Sequence, residues 1–160
     1  MKQKLNFKQK KRNGIWFFGL AGSGKTFASK ICAGFFKNAF IIDGDDVRKF
    51  ISFDLGYSPS DRKIQVSRVL GIAEIAKINC RFPIASTVTM TAETFQKCSK
   101  MGIEVVEIMR PIAQIHQVRN IYKKDQNVVG KDIQHIELDT IKLHNNGDQE
   151  FEKKLEAFIK

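Results

Sequence analysis

Apolar residues follow two alternating rhythms along this chain. Short runs without a helical gap occupy Ile15–Phe18, Ala39–Ile42, "PIAST" (83–87) and "IEVVEIM" (103–109). Such runs suit strands buried on both faces. Between them the spacing is helical. Residues 25–37 follow a glycine loop, and Ile64, Val69, Ile72, Ala73 and Ala76 place a helix from Pro59 to about Asn79. Ser58 is its expected N-cap and Pro59 suits its first turn. Further helices are predicted over 91–101, ended by Gly102, and over 112–120. Phe151, Leu155, Phe158 and Ile159 give a last amphipathic helix within 148–160, whereas 122–132 has the polar, glycine-containing composition of a loop.

Strand–helix alternation predicts an α/β fold, a parallel sheet with helices on both faces. The 160 residues suit one domain with a real core, and no repeat, low-complexity stretch or linker divides them. The domain is expected over 14–160, behind a basic tail at 1–13. That tail carries Lys2, Lys4, Lys8, Lys10, Lys11 and Arg12 before any acid, leaving +4 of the net +10 to the remainder. A basic arm can grip nucleic acid or be a solvated tail. The first use needs a second binding surface, which the sequence does not offer, so no nucleic-acid partner is expected.

No apolar stretch reaches the roughly 18 residues of a membrane span, and the start lacks the apolar segment of a secretory signal. A cytoplasmic protein without a membrane partner is therefore expected. Cys32, Cys80 and Cys98 form no C-x-x-C pair and are expected to be buried free thiols. His116, His135 and His144 show no metal-ligand spacing.

The chemistry is concentrated in three segments. "GLAGSGKT" comprises Gly19, Leu20, Ala21, Gly22, Ser23, Gly24, Lys25 and Thr26, between a strand and a helix. This is the context of a phosphate-binding loop, in which backbone N–H groups wrap the phosphates and the helix N-terminus favours the anion. Lys25 would reach the outer phosphates and the Thr26 hydroxyl would lie on Mg²⁺. "DGDDVR" (43–48) ends the second strand, at the edge where open α/β sheets place their ligands. Its carboxylates could hold a metal-bound water or take a proton from an acceptor hydroxyl, and Arg48 suits a second anion. The same residues also suit an Asx turn that starts a helix. "DLGYSPSDRK" (54–63) offers Tyr57 as a stacking surface and Arg62 as a phosphate or ribose partner, or else a capped helix start.

With "IYKK" (121–124), these motifs in this order resemble the adenylylsulfate (APS) kinase family, from about residue 13 to 140. "IELDT" (136–140) is similar to a segment near the end of that fold. The resemblance implies a P-loop kinase fold that uses ATP and Mg²⁺ to phosphorylate the ribose 3′-hydroxyl of APS, commonly as a homodimer. It implies Gly22, Gly24, Lys25 and Thr26 at the ATP phosphates and metal. Asp43 and Asp45 would be the paired aspartates, with Asp45 orienting or deprotonating the hydroxyl and sharing the metal. Arg48 and Arg62 would hold the acceptor, Tyr57 would stack on its base, and Lys123 and Lys124 would serve the lid.

Three departures concern the acceptor side. Gln65 stands for the family's asparagine, and Val88-Thr89-Met90 for its Ile-Ser-Pro. The lid is shortened to "YKKDQNVVG" (122–130), placing Val128 where a phenylalanine closes on adenine. Stacking on a base is worth roughly 1–3 kcal/mol, so the acceptor could be APS or a smaller nucleotide. A divergent branch of the family phosphorylates cytidine diphosphoramidate in bacterial capsule synthesis. A P-loop regulator that binds ATP and signals through a partner is the alternative of another class. Asp43, Asp45, Arg48 and Arg62 weigh against it, since a switch needs no acceptor pocket.

Overall fold

The first strand feeds two cores with alternate side chains. β1 (Gly14–Phe18) is buried along its length. Ile15 and Phe17 point to one face, among Ala28, Cys32, Val106, Phe151 and Leu155. Trp16 and Phe18 point to the other, among Val66, Val69, Ala73, Met90 and Val105. A strand in that position must lie inside a sheet covered on both sides. Each such aromatic contributes about 1.5–3 kcal/mol by leaving water.

The computed structural model describes residues 11–116 and 126–160. After β1 come α1 (Lys25–Ala33), β2 (Ala39–Asp43), α2 (Gly44–Phe50), α3 (Pro59–Ile78) and β3 (Phe82–Thr87). Then follow α4 (Ala92–Met101), β4 (Ile103–Met109), α5 (Ile112–His116), β5 (Ile141–His144) and α6 (Glu150–Ile159). The strands are all parallel, in the order β2-β3-β1-β4-β5. Helices α1 and α6 contribute to the core with Phe17, and α3 and α4 to the core with Trp16. The α/β architecture with both faces covered is thus present. Among the described residues no helix is long and apolar enough to cross a membrane.

Local signals set most element ends. The Ser58 hydroxyl accepts from the Asp61 N–H at 3.2 Å and starts α3 behind Pro59. Thr91 caps α4 through the Thr94 N–H at 3.1 Å. Gly102, at φ 70°, ends α4, and a Cβ there would meet Asn13 Nδ2 at 2.6 Å. The last residues of the basic tail are fastened to the domain. Arg12 pairs with Glu104, lies 4.2 Å over the Phe158 ring and donates to the Ile159 carbonyl, while the Asn13 N–H donates to the Gly102 carbonyl.

One helix bound is revised. Helix α1 ends at Ala33 with Gly34 as its C-cap, a turn before Lys37. "IELDT" forms no regular element, although Ile136 and Leu138 pack against the core; the last strand is Ile141–His144. The predicted 112–120 helix is present over Ile112–His116, and 117–120 lie outside the described residues.

The expectation for the cysteines is revised as well. Cys32 and Cys98 are buried, and burial pushes both thiols up to about 12. Cys80 is exposed, in the turn after α3 at φ 56°. Native protein should therefore react with a thiol reagent rapidly at one cysteine, Cys80, and at all three only after denaturation. Rapid native labelling of Cys32 or Cys98 would contradict the packing.

Candidate active site

The loop from Gly19 to Gly24 leaves β1 at its carboxyl edge and enters α1 with no side-chain cap. Its N-terminal N–H groups remain available to an anion. Gly24 adopts φ 104°, a region that L side chains rarely enter, and a Cβ there would stand 2.4 Å from Asn145 Nδ2. Lys25 is 9% exposed, and its ammonium donates to the Leu20 carbonyl at 2.8 Å. Ser23 is fully buried behind the loop.

The carboxylate of Asp43 ties this loop to the neighbouring strands. At the end of β2, its Oδ1 accepts the Asp45 N–H at 2.9 Å and so caps α2. Its Oδ2 accepts the Thr26 hydroxyl at 2.8 Å and the Ser86 hydroxyl at 3.3 Å. The Asx turn and the functional placement coexist: one oxygen starts a helix, while the other holds the loop threonine. Because the Thr26 proton is directed to Asp43, the lone pairs of its oxygen are left for a cation. Those lone pairs and the exposed Asp45 carboxylate are hard donors that fit Mg²⁺, an ion that usually keeps waters and substrate phosphates as its other ligands.

Both halves line one cleft of ≈ 270 Å³. Ala21, Gly22, Gly24, Lys25 and Thr26 form the loop side, and Asp43, Asp45, Arg48, Tyr57, Arg62, Gln65 and Thr89 the other. Gly19, Leu20 and Ser23 support the loop without lining the cleft. Arg48 donates to the Gly56 carbonyl at 2.6 Å and holds its guanidinium 4.4 Å from the Tyr57 ring centre. Arg62 lies 5.5 Å from the same ring and donates to the carbonyls of Tyr57 and Asn127. Burial first, and then the Arg48 charge, lower the proton affinity of Arg62. Exposed cation–π contacts are worth only about 0.5–1 kcal/mol each, so a base or a phosphate can replace them. Gln65, 5% exposed, is oriented by its donation to the Gly44 carbonyl at 2.9 Å, and its Oε1 is buried without a partner.

Val128 does not line the cleft. It is 7% exposed and packs with Ile115, Leu20 and Ile112. The cause is a tight turn: the Val128 carbonyl accepts N–H groups from Lys131, Asp132 and Ile133, while its own N–H donates to Asp132 Oδ2. The turn directs the side chain into an apolar contact with the phosphate loop. Lys123 and Lys124 lie outside the described residues. Sequence reasoning missed Ser86 and Thr87, which line the cleft from the end of β3, and Asn145 and Arg110, which touch the loop from behind. The register of Asp43 opposite Ser86 could have signalled the first.

A glycine loop between a central parallel strand and a helix, with acids at the next strand end, defines a P-loop kinase fold. Solved structures share it. The Mycobacterium tuberculosis APS kinase in complex with AMPPNP and APS superposes with a TM-score of 0.80 at 20% identity, covering 93% of this chain and 97% of that one. A gluconokinase from Sinorhizobium meliloti 1021 gives 0.62 at 13% identity, covering 93% of each. The family model described as adenylylsulphate kinase matches residues 11–138. The chain belongs to the adenylylsulphate kinase family. An adenylyl-sulfate kinase of Escherichia coli O1:K1 / APEC is 31% identical over 156 residues, 84% of this chain and 75% of the relative. That of Bacillus pumilus (strain SAFR-032) is 35% identical over 120 residues, 71% of this chain. The chain spans 38% to 55% of the length of several relatives it matches.

The role of Asp43 predicts an asymmetry between two substitutions. Asp43→Ala removes the α2 cap and should lower stability in urea unfolding by about 1–2 kcal/mol. Asp43→Asn keeps a capping oxygen and should lose less than half as much. Equal losses would show that the cap is not what Asp43 contributes.

Proposed function

We propose that the chain is an ATP-dependent kinase that transfers the γ-phosphoryl group to the ribose 3′-hydroxyl of a nucleotide acceptor. The observation that carries this reading is the shared cleft. A phosphate loop and a cation- and ring-bearing wall face each other across one opening, linked by Asp43. A nucleotide-dependent regulator needs the first wall only.

The chemistry such a cleft supports is mostly positioning and charge neutralisation. Backbone N–H groups of the loop and Lys25 would hold the donor phosphates, with Thr26 and Asp45 available to Mg²⁺. Bound there, the ion would neutralise charge on the phosphate oxygens. Asp45 would orient the acceptor hydroxyl and take its proton, while Arg48 and Arg62 would hold the acceptor's anionic groups. Lys25→Ala should lower turnover by about 10²–10³-fold, as for the loss of one charge-stabilising donor. Asp45→Asn should lower it by at least about 100-fold, the general-base contribution. Both variants should keep the wild-type melting temperature within a few degrees. Wild-type turnover in a folded Asp45→Asn enzyme would remove Asp45 from the reaction.

APS, the family's acceptor, is the first candidate, and a CDP-linked compound is the second. The second is favoured by the placement of Val128, which among the described residues leaves Tyr57 as the ring on the wall of Arg48 and Arg62. A smaller pyrimidine depends less on a second stacking surface. Tyr57→Ala should raise the acceptor KM about 5- to 150-fold, the equivalent of roughly 1–3 kcal/mol of stacking, with the ATP KM unchanged. Assay of MgATP with APS and a panel of CDP-linked compounds, scored as 3′-phosphorylated product, decides between the acceptors. A homodimer belongs to the same proposal, on the strength of the family resemblance.

A further inference from the structure

We propose that Asn145 is a positioning residue for the donor phosphates, acting through the Ser23–Gly24 peptide. This inference rests on the kinase reading above. Asn145 directly follows β5 and is 6% exposed. Its backbone N–H donates to the Met109 carbonyl at 2.8 Å, which fixes the residue against the end of β4. Its Nδ2 donates to the Ser23 carbonyl at 2.7 Å, and its Oδ1 accepts the Gly147 N–H at 2.9 Å. Carboxamide nitrogen and oxygen are thus both engaged, so the group is held from two sides.

The consequence follows from peptide geometry. In a planar trans peptide the C=O and the following N–H point in opposite directions. Tying the Ser23 carbonyl to Asn145 therefore turns the Gly24 N–H away from Asn145. Gly24 is a cleft residue at the start of α1, and its N–H belongs to the amides expected to wrap a phosphate. Gly24 also has to be glycine for this contact, because a Cβ would stand 2.4 Å from Asn145 Nδ2. Arg110, at the end of β4, adds a longer contact from the same side, 3.4 Å from its Nη1 to the Gly22 carbonyl. Two carbonyls of the loop are therefore held from the β4–β5 side of the sheet, opposite the acceptor wall on the β2–β3 side.

The test compares wild type with Asn145→Ala and Asn145→Asp. The second variant keeps an oxygen for the Gly147 N–H and replaces the donor to Ser23 with a carboxylate oxygen, which repels that carbonyl. Binding of ATP, and separately of tripolyphosphate, is measured by calorimetry, and the acceptor KM is measured at saturating ATP. The expected result is a loss of at least tenfold in affinity for ATP and for tripolyphosphate alike, with the acceptor KM within twofold of wild type. A folded variant that binds ATP within twofold of wild type overturns the inference. So does an equal loss for donor and acceptor, the signature of a merely structural residue. If Asn145→Ala does not fold, Asn145→Asp carries the comparison; if neither folds, Asn145 is structural and the inference fails. Failure of the wild-type protein to bind ATP refutes the kinase reading itself, an outcome distinct from a variant that binds normally.

Discussion

The site depends on β1 being buried on both faces and flanked on both edges. Ile15 and Phe17 are locked into one core, Trp16 and Phe18 into the other, and β3 and β4 pair along either side. None of these positions can slip by one residue without moving aromatics into the opposite core. The phosphate loop therefore leaves the sheet from a fixed point and in a fixed direction. Strand order then divides the surroundings into two sides. The ends of β2 and β3 bring Asp43, Ser86 and Thr87 to one side, and the ends of β4 and β5 bring Arg110 and Asn145 to the other. The cleft side of the loop faces the acids and the wall of Arg48, Tyr57 and Arg62, while the carbonyls of Gly22 and Ser23 are held from behind.

Asp43 shows how one carboxylate can unite stability and chemistry. Its two oxygens serve different partners, a helix N–H and two hydroxyls, one at the start of α1 and one in β3. The helix it caps carries Asp45 and Arg48 into the cleft. The Thr26 hydroxyl it accepts belongs to the phosphate-loop side. Local folding and assembly of the cleft are thus the same event. For that reason, an Asx turn and a cleft-forming motif were not competing descriptions of "DGDDVR".

How much of this was legible in the sequence depended on the range of each interaction. "GLAGSGKT", Ser58 and Thr91 act on neighbours a few residues away, so their pattern carries their role. The strands β1 to β4 were legible from their continuous apolar runs, β2 included, although Phe40 and Ile41 are exposed at its sheet edge. β5 was not: Ile141–His144 is an edge strand, mostly exposed, whose alternating polar residues, one of them a lysine, suit an open edge and leave no apolar run. Asn145 was hidden because its partner lies 122 residues earlier, and "NNG" reads as an ordinary turn. Cys80 looked like the other thiols because composition says nothing about which side of a turn a residue occupies.

The lid region illustrates the difference between aligning a residue and placing its side chain. Position 128 aligns with a ring that closes on a base, which makes the valine look like a lost wall. In the fold, the turn from Val128 to Ile133 sends that side chain inward against Leu20 of the phosphate loop. The adjacent Asn127 carbonyl meanwhile accepts from Arg62, a residue of the acceptor wall. The start of the described lid segment therefore touches the donor loop by an apolar contact and the acceptor wall by a polar one. An anion drawn to Arg62 would compete with the Asn127 carbonyl. That competition favours the anion, because a charged group binds a guanidinium more strongly than a neutral carbonyl does. The polar contact is therefore the exchangeable one, and the apolar contact of Val128 with Leu20 does not depend on it.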